Sequence, residues 1–242
     1  AAFVLASSGD SGVRVRQLQR VLRGIDGTLA IVTHDNPDPD AIASAVALAR
    51  IAETAGCDTT ICYYGAISHQ ENRAFVNLLE YDLQQLGPGE VPASMDGVAL
   101  VDHSRSGVND GLPRGTEIDV VIDHHPPRVP VEAKFVDLRS DVGATSTLLV
   151  EYLEALEIPL ATDIATGLLF GIRVDTNDFR REVSPADFEA AATLMPHVDL
   201  DALKRIESPT IDTETLETIG RAIENRVREG SVLLSGVGEV RN

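Results

Sequence analysis

The chain has 242 residues, 38 acidic against 20 basic, giving a formal net charge of −18, and only Lys134 and Lys204 among its basic residues are lysines. This length suits one large domain with an appendage rather than two full domains, and the charge disfavours general affinity for nucleic-acid backbones. Repulsion and hydration of surplus carboxylates suit a protein to molar salt, where the Debye length shrinks to roughly 3 Å; the scarcity of lysine favours a halophilic, haloarchaeal cytoplasm over an ordinary acidic surface.

The start, AAFVLASSGD, reads as the end of an element cut from something larger. VRVRQLQRVLRGI then spaces apolar residues three and four apart, a helix, and Gly27 precedes the continuous apolar run TLAIV, a buried strand. Asp40 to Ala55 is an alanine-rich helix and TTICYY a strand. This strand, loop, helix, strand unit predicts a parallel sheet. Cys57 and Cys62, five apart and without a CxxC pattern, are expected as reduced core thiols. Ser68 followed by Glu71 has the form of a capping box ahead of the amphipathic AFVNLLEYDL.

Strands are expected next at VALVD, DVVID and AKFVD, joined by loops around Gly87 to Pro92 and Gly107 to Gly115. From Gly143 the pattern turns helical: STLLVEYLEAL, DIATGLLFGIRV, then a helix opened by Ser184, Pro185 and Asp187 as cap, first-turn proline and acidic residue. TLETIGRAIENRVREG makes a further helix, and GSVLLSGVGEVRN a last strand entering another unit. No run approaches the roughly 18 apolar residues of a membrane span, and no signal peptide is present, so a soluble cytoplasmic protein is expected. The fold class is α/β, a largely parallel β-sheet flanked by helices with a helical C-terminal part. Its expected divisions are an N-terminal helix (1–27), a main domain (28–205) and a linker helix and strand (206–242).

Four clusters at the ends of successive apolar runs carry the chemistry. They are His34, Asp38 and Asp40 in THDNPDPDA, Asp102 in LVDHS, Asp123-His124-His125 in VIDHH, and Asp175 in GIRVDTNDF. Imidazole nitrogens and carboxylate oxygens gathered from separate segments are the ligands of hard to borderline divalent metals. In an open α/β sheet, ligands bind beyond the carboxyl ends of parallel strands, and His34, Asp102 and Asp123 stand at or just past such ends. Pro37 and Pro39 hold their loop extended so that Asp38 and Asp40 direct carboxylates the same way; the competing view is an Asx-rich turn with Asp40 as N-cap. GATSTLL could bring a helix N-terminus near phosphate, or simply cap its helix. His69 and His197 are isolated and carry no functional assignment.

Read together, His34-Asp35-Asn36-Pro37-Asp38-Pro39-Asp40-Ala41, the strand-terminal Asp102, Asp123-His124-His125 and Asp175 in GIxxDTxxF resemble, in order, the four motifs of the DHH phosphoesterases. The resemblance spans roughly residues 28 to 180 and implies a two-manganese centre, with Mg²⁺ as substitute. It implies His34 and Asp38 on one metal, Asp40, His124 and Asp175 on the other, and Asp102 bridging. His125 would face the substrate phosphate and, with Asp102, act in catalysis. His103 and Asp123 would orient the ligands, and Asn36 and Arg173 would touch substrate or order the loop.

The implied activity is hydrolysis of phosphodiester or phosphomonoester bonds by hydroxide generated between two metals roughly 3.5–4 Å apart. The implied substrates are small nucleotides or short oligonucleotides, as for the RecJ-like, oligoribonuclease and cyclic dinucleotide phosphodiesterase members. An exopolyphosphatase or pyrophosphatase is the alternative; from another class, the chain is a nucleotide- or metal-binding regulatory module. Partners would be a small phosphorylated molecule or polyphosphate, with no long duplex and no membrane, and with a homodimer compatible. Many members of the family carry a second domain with a GGGH-like motif, which is missing here, so a substrate-binding C-terminal domain is expected beyond this chain.

Overall fold

The computed structural model describes residues 11–208 and 213–238. The AAFVLASSGD segment and the last four residues of the final predicted strand lie outside them. The chain divides into two units, Ala1–Glu207 and Ser208–Asn242.

In the first unit, α1 (Ser11–Leu22) leads to β1 (Thr28–Val32), α2 (Pro39–Ala55), β2 (Asp58–Tyr63), α3 (Gln70–Leu78) and a two-residue β3 (Gln84–Gln85). There follow β4 (Gly97–Val101), β5 (Val120–Asp123), β6 (Phe135–Leu138), α4 (Thr145–Ala155), α5 (Thr162–Asp175), α6 (Pro185–Leu194), a 3₁₀ turn at Met195–His197, and α7 (Leu200–Glu207). The six strands form one sheet in the order β3-β2-β1-β4-β5-β6, with every neighbouring pair parallel. The chain steps from β1 to β2 on one side and returns to β4 on the other. Adjacent loops therefore diverge between β1 and β4, the place where open parallel sheets leave a crevice.

Alternation along the strands separates two cores. Leu29, Ile31, Ala99, Val101, Val120 and Ile122 face the large cluster, which takes residues from all seven helices of this unit. Val32, Val98, Leu100 and Val121 face a smaller one closed by Tyr64, Leu86 and Leu112 from loops. Burial on both faces explains why these strands read as continuous apolar runs.

Local corrections have local causes. Pro39, expected to keep its loop out of regular structure, is the first residue of α2, where a missing amide costs nothing. The N-cap is Asp38 rather than Asp40, its Oδ1 accepting the Ala41 amide at 3.0 Å. The expected capping box at Ser68 and Glu71 is absent: α3 begins after His69, without a side-chain cap, and stops at Leu78 rather than Leu83. Glu80 turns left-handed just beyond, with φ 55°. The box at Ser184 and Asp187 does form. The short helix α7 and strand β3 escaped the sequence periodicity.

The second unit holds α8 (Thr213–Glu224) and an antiparallel hairpin of β7 (Val227–Glu229) with β8 (Val232–Leu234). The predicted helix through Gly230 ends at Glu224, because Val227–Glu229 pair with Val232–Leu234 instead. No helix among the described residues is long and apolar enough to cross a membrane.

Candidate metal centre

Three adjacent strand ends present the donors. His34 follows β1 by two residues, Asp102 follows β4 directly, and Asp123 closes β5. Asp102 adopts φ 61°, a left-handed turn uncommon for a residue with a side chain, and its amide still bonds Ile122 O at 3.0 Å. Such conformations persist where surrounding structure imposes them, and they gather at functional sites.

His34 is oriented by its own loop: Nδ1 lies 2.9 Å from the Asp35 carbonyl, so Nε2 faces Asp102 Oδ2 at 3.5 Å and Asp38 Oδ2 at 3.8 Å. His124 repeats the arrangement. Its Nδ1 lies 3.4 Å from Val142 O, while Nε2 stands 3.2 Å from Asp175 Oδ2 and 3.6 Å from Asp102 Oδ1. Donor atoms within 4.8 Å of one another thus form the groups His34, Asp38, Asp102 and Asp40, Asp102, His124, Asp175, with Asp102 common to both. A third group joins Asp102, His124 and His125.

Asp38 and Asp40, aimed the same way by the loop's prolines but assigned to different metals by the family resemblance, fall in different groups. Asp38 faces His34 while capping α2. Asp40 is fully buried, and its two oxygens accept the Thr145 and Ser146 amides at 2.7 and 2.8 Å. The N-terminus of α4 is therefore turned on Asp40 rather than offered to phosphate. A side chain at Gly171 would stand 2.6 Å from Ser146 Oγ and 3.0 Å from Asp40 Cα, so glycine lets α5 approach this junction.

Residues assigned supporting roles are placed as follows. Asp123 Oδ1 accepts from the His125 amide at 3.0 Å and pairs with its Nδ1 at 2.9 Å, leaving the His125 ring 57% exposed. His103 is buried outside all three groups, its ring nitrogens 2.9 Å from Val101 O and 3.0 Å from Asp110 Oδ2, and its ring edge-on to His34. Asn36 Oδ1 accepts the Ala66 amide at 2.9 Å, tying its loop to the segment after β2. Arg173 pairs with Asp178 and Glu207, engaged away from the donor groups.

Some contributors had no advance signal. Thr145 Oγ1 donates to Asp102 Oδ1 at 2.8 Å and lies 3.3 Å from the His124 amide. Asp110 takes the Gly107 and Leu112 amides besides His103. Asp187, foreseen only as a cap, also accepts from the Gly143 amide and, at 2.6 Å, from Thr147 Oγ1. The Asn109-Asp110-Gly111 turn and the hydroxyls of Thr145 and Thr147 are visible in the sequence, but nothing there shows which carboxylates they meet.

The donor set suits a borderline to hard divalent cation. His124 Nε2 and Asp123 Oδ2 are buried without a hydrogen-bond partner in the protein, and such atoms are costly unless something binds them. Electrostatics agree. Burial opposes charge on His34, yet the Asp102 and Asp38 carboxylates push it up to about 11; burial likewise opposes charge on His124, which Asp175, Asp40 and Asp102 push up to about 10. Burial, then Asp102 and Asp175, raise Asp40 well above the usual carboxylate range. Burial also raises Asp102. Without metal, protons offset the crowded carboxylates.

Comparison with known proteins matches residues 28–172 to the model of the DHH family, N-terminal domain. An uncharacterized protein of Methanocaldococcus jannaschii is 41% identical over 95% of this chain and 47% of its own length. The bifunctional oligoribonuclease and PAP phosphatase NrnA of Thermus thermophilus is 29% identical over 75% of this chain and 54% of its own. A probable manganese-dependent inorganic pyrophosphatase of Deinococcus radiodurans is 31% identical over 69% and 53%. The chain spans about half the length of these curated relatives.

Two outcomes are expected. Asp187→Ala strips partners from the Gly143 amide, the Thr147 hydroxyl and the Ser184 amide and hydroxyl, and should lower stability by on the order of 3 kcal/mol in urea denaturation; a loss below about 0.5 kcal/mol would remove its structural role. Because His34 and His124 carry protons until pH passes about 10 to 11, Mn²⁺ taken up near pH 8 must displace them. Calorimetry in buffers of different ionisation enthalpy should register net proton release, with apparent affinity rising with pH; uptake without release contradicts these protonation states.

Proposed function

Since the chain belongs to the DHH family, whose members are hydrolases of phosphoester or anhydride bonds, we propose that it is a Mn²⁺-dependent phosphoesterase acting on phosphodiester or phosphomonoester bonds of small nucleotides or short oligonucleotides. The observation that carries this reading is the pair of donor groups meeting at Asp102. His34, Asp38 and Asp102 would hold one ion, and Asp40, His124 and Asp175, again with Asp102, the other. When bound, the two ions supply Lewis acidity that lowers the pKa of water and offsets charge on phosphoryl oxygens.

The chain's own residues do the rest. Asp102, buried and held by Thr145 Oγ1, cannot swing away from the shared position. Asp123 fixes His125 through Nδ1 and is the main cause of its raised pKa. The raised pKa favours the protonated ring, from whose Nε2 a proton would pass to a phosphoryl or leaving-group oxygen. Asp123 itself stays ionised: burial works against its charge, but the bonds from His125 outweigh that. Mg²⁺ is compatible with the oxygen donors, less so with the imidazoles.

Small substrates fit a protein of net charge −18, which repels long polyanions. Similarity to NrnA supports a nucleotide substrate. Similarity to a manganese-dependent pyrophosphatase supports a second reading, hydrolysis of pyrophosphate or polyphosphate. The chain spans about half of either relative, and the same activity is proposed for the whole protein, with 28–205 as the phosphoesterase domain and 206–242 as the linker after it.

The deciding measurement is Mn²⁺-dependent turnover of a panel of dinucleotides, phosphoadenosine phosphate, pyrophosphate and polyphosphate by wild type, His124→Ala and Asp102→Asn. Both variants should lose at least about 10²-fold in kcat; wild-type rates in either would sink the centre, and preference for pyrophosphate would select the second reading. We also read the surface charge as salt adaptation. Raising KCl from about 0.1 M to about 1 M, which shortens screening from about 10 to 3 Å, should raise Tm, and a Tm indifferent to salt would refute that view.

A further inference from the structure

A cavity of about 440 Å³ opens beside the donor cluster, walled by His124, His125, Ser140, Asp175, Arg181 and Glu182 among others. Among the described residues, Arg181 is the one arginine or lysine on its wall. No carboxylate among the described residues lies within salt-bridge distance of Arg181, and its guanidinium makes one bond, Nη2 donating to the Asp175 main-chain oxygen at 3.0 Å. Arg173, by contrast, is neutralised by Asp178 and Glu207. The chain reaches this placement through an unusual path. After Asp175 three successive residues, Asn177, Asp178 and Phe179, take φ of 48°, 54° and 58°, and Glu182 takes 51°. The turn is stitched by Thr176, whose carbonyl accepts both the Arg180 and Arg181 amides and whose Oγ1 accepts that of Phe179. Left-handed conformations in series are unfavourable for residues with a side chain. Here they fold the chain back so that residue 181 returns over residue 175.

We propose that Arg181 is the substrate's phosphate anchor, its guanidinium fork taking two oxygens of a phosphate group lodged between His125 and Asp175. The proposal rests on the phosphoesterase reading and adds to it the residue that holds the substrate. An anionic ligand entering a site built from aspartates requires a cation that those aspartates have not already neutralised. Arginine suits the task because its planar donors match phosphate oxygens in pairs, and one donor already bound to a carbonyl sets the direction of the others. The bond to the Asp175 carbonyl places the anchor by main chain, leaving the Asp175 carboxylate to its donor group.

The test compares wild type with Arg181→Ala, Arg181→Gln and Arg181→Lys, titrating Mn²⁺ and then, at saturating Mn²⁺, inorganic phosphate, both by calorimetry. In Arg181→Ala the Mn²⁺ stoichiometry should stay constant and its Kd move less than about twofold, while the phosphate Kd rises roughly ten- to a hundredfold. Arg181→Gln, which keeps a donor for the carbonyl but no charge, should match Ala. Arg181→Lys should recover part of the loss. Unchanged phosphate affinity in Arg181→Ala overturns the proposal. So does a loss of Mn²⁺ affinity in Ala that Gln restores, since Arg181 would then be a clip for Asp175 alone. Failure of the wild type itself to bind Mn²⁺ strikes the underlying reading, and the anchor falls with it.

Discussion

Asp40 sits at the second position of α2 with no solvent exposure, and both of its carboxylate oxygens accept amides from the first turn of α4, over a hundred residues later in the chain. Those amides belong to the set that every helix start leaves without internal partners, and the positive end of the helix dipole adds to their pull on an anion. Much of the centre hangs on this junction. Thr145, whose amide holds Asp40, also holds Asp102 through its hydroxyl. Gly143, two residues earlier, is fixed by Asp187 of α6, and Gly171 lets α5 close over the top with Asp175 at its end. A carboxylate on one helix and the amides of another thus bring five elements to common coordinates.

The arrangement is electrostatically demanding. Buried carboxylates are tolerated when hydrogen-bonded or paired, and two amides do not suffice for Asp40, whose pKa burial and its acidic neighbours still raise. The surplus negative charge is instead offset by the two imidazoles, which hold protons far above their ordinary range. Such a cluster is poised for exchange of protons for divalent cations, because each site that favours a proton so strongly favours another positive charge in its place. The same surplus explains why a cation near the mouth of the cavity, unpaired with any of these carboxylates, has consequences for an anionic ligand.

The legibility of the fold followed burial. Strands buried on both faces announced themselves as uninterrupted apolar runs, and helices such as α2 and α5, buried along most of their length, were equally plain. What escaped depended on contacts distant in sequence. β3 is two exposed glutamines that become a strand only by pairing with Cys62 and Tyr63, and α7 is eight residues whose apolar face has meaning only against the helices it packs on. The segment Val227–Glu229 continues a helical pattern and is taken from it by a hairpin partner. At α3 the local capping pattern was present but unused.

For the centre, the sequence by itself determined which residue types were available and that they fell at the ends of buried strands: His34, Asp102 and Asp123 were legible because strand ends are written in hydrophobicity. It also carried Asp38, Asp40, His124 and Asp175 as clustered donors. Only the tertiary structure decided that the α4 N-terminus faces a carboxylate and that Arg181 returns over Asp175. The reason is physical. Side-chain identity and periodicity are local properties, whereas the meeting of donors from separate segments is fixed by helix packing, by left-handed turns at Asp102 and Asn177, and by amide partners from segments with no sequence proximity to the residues they hold.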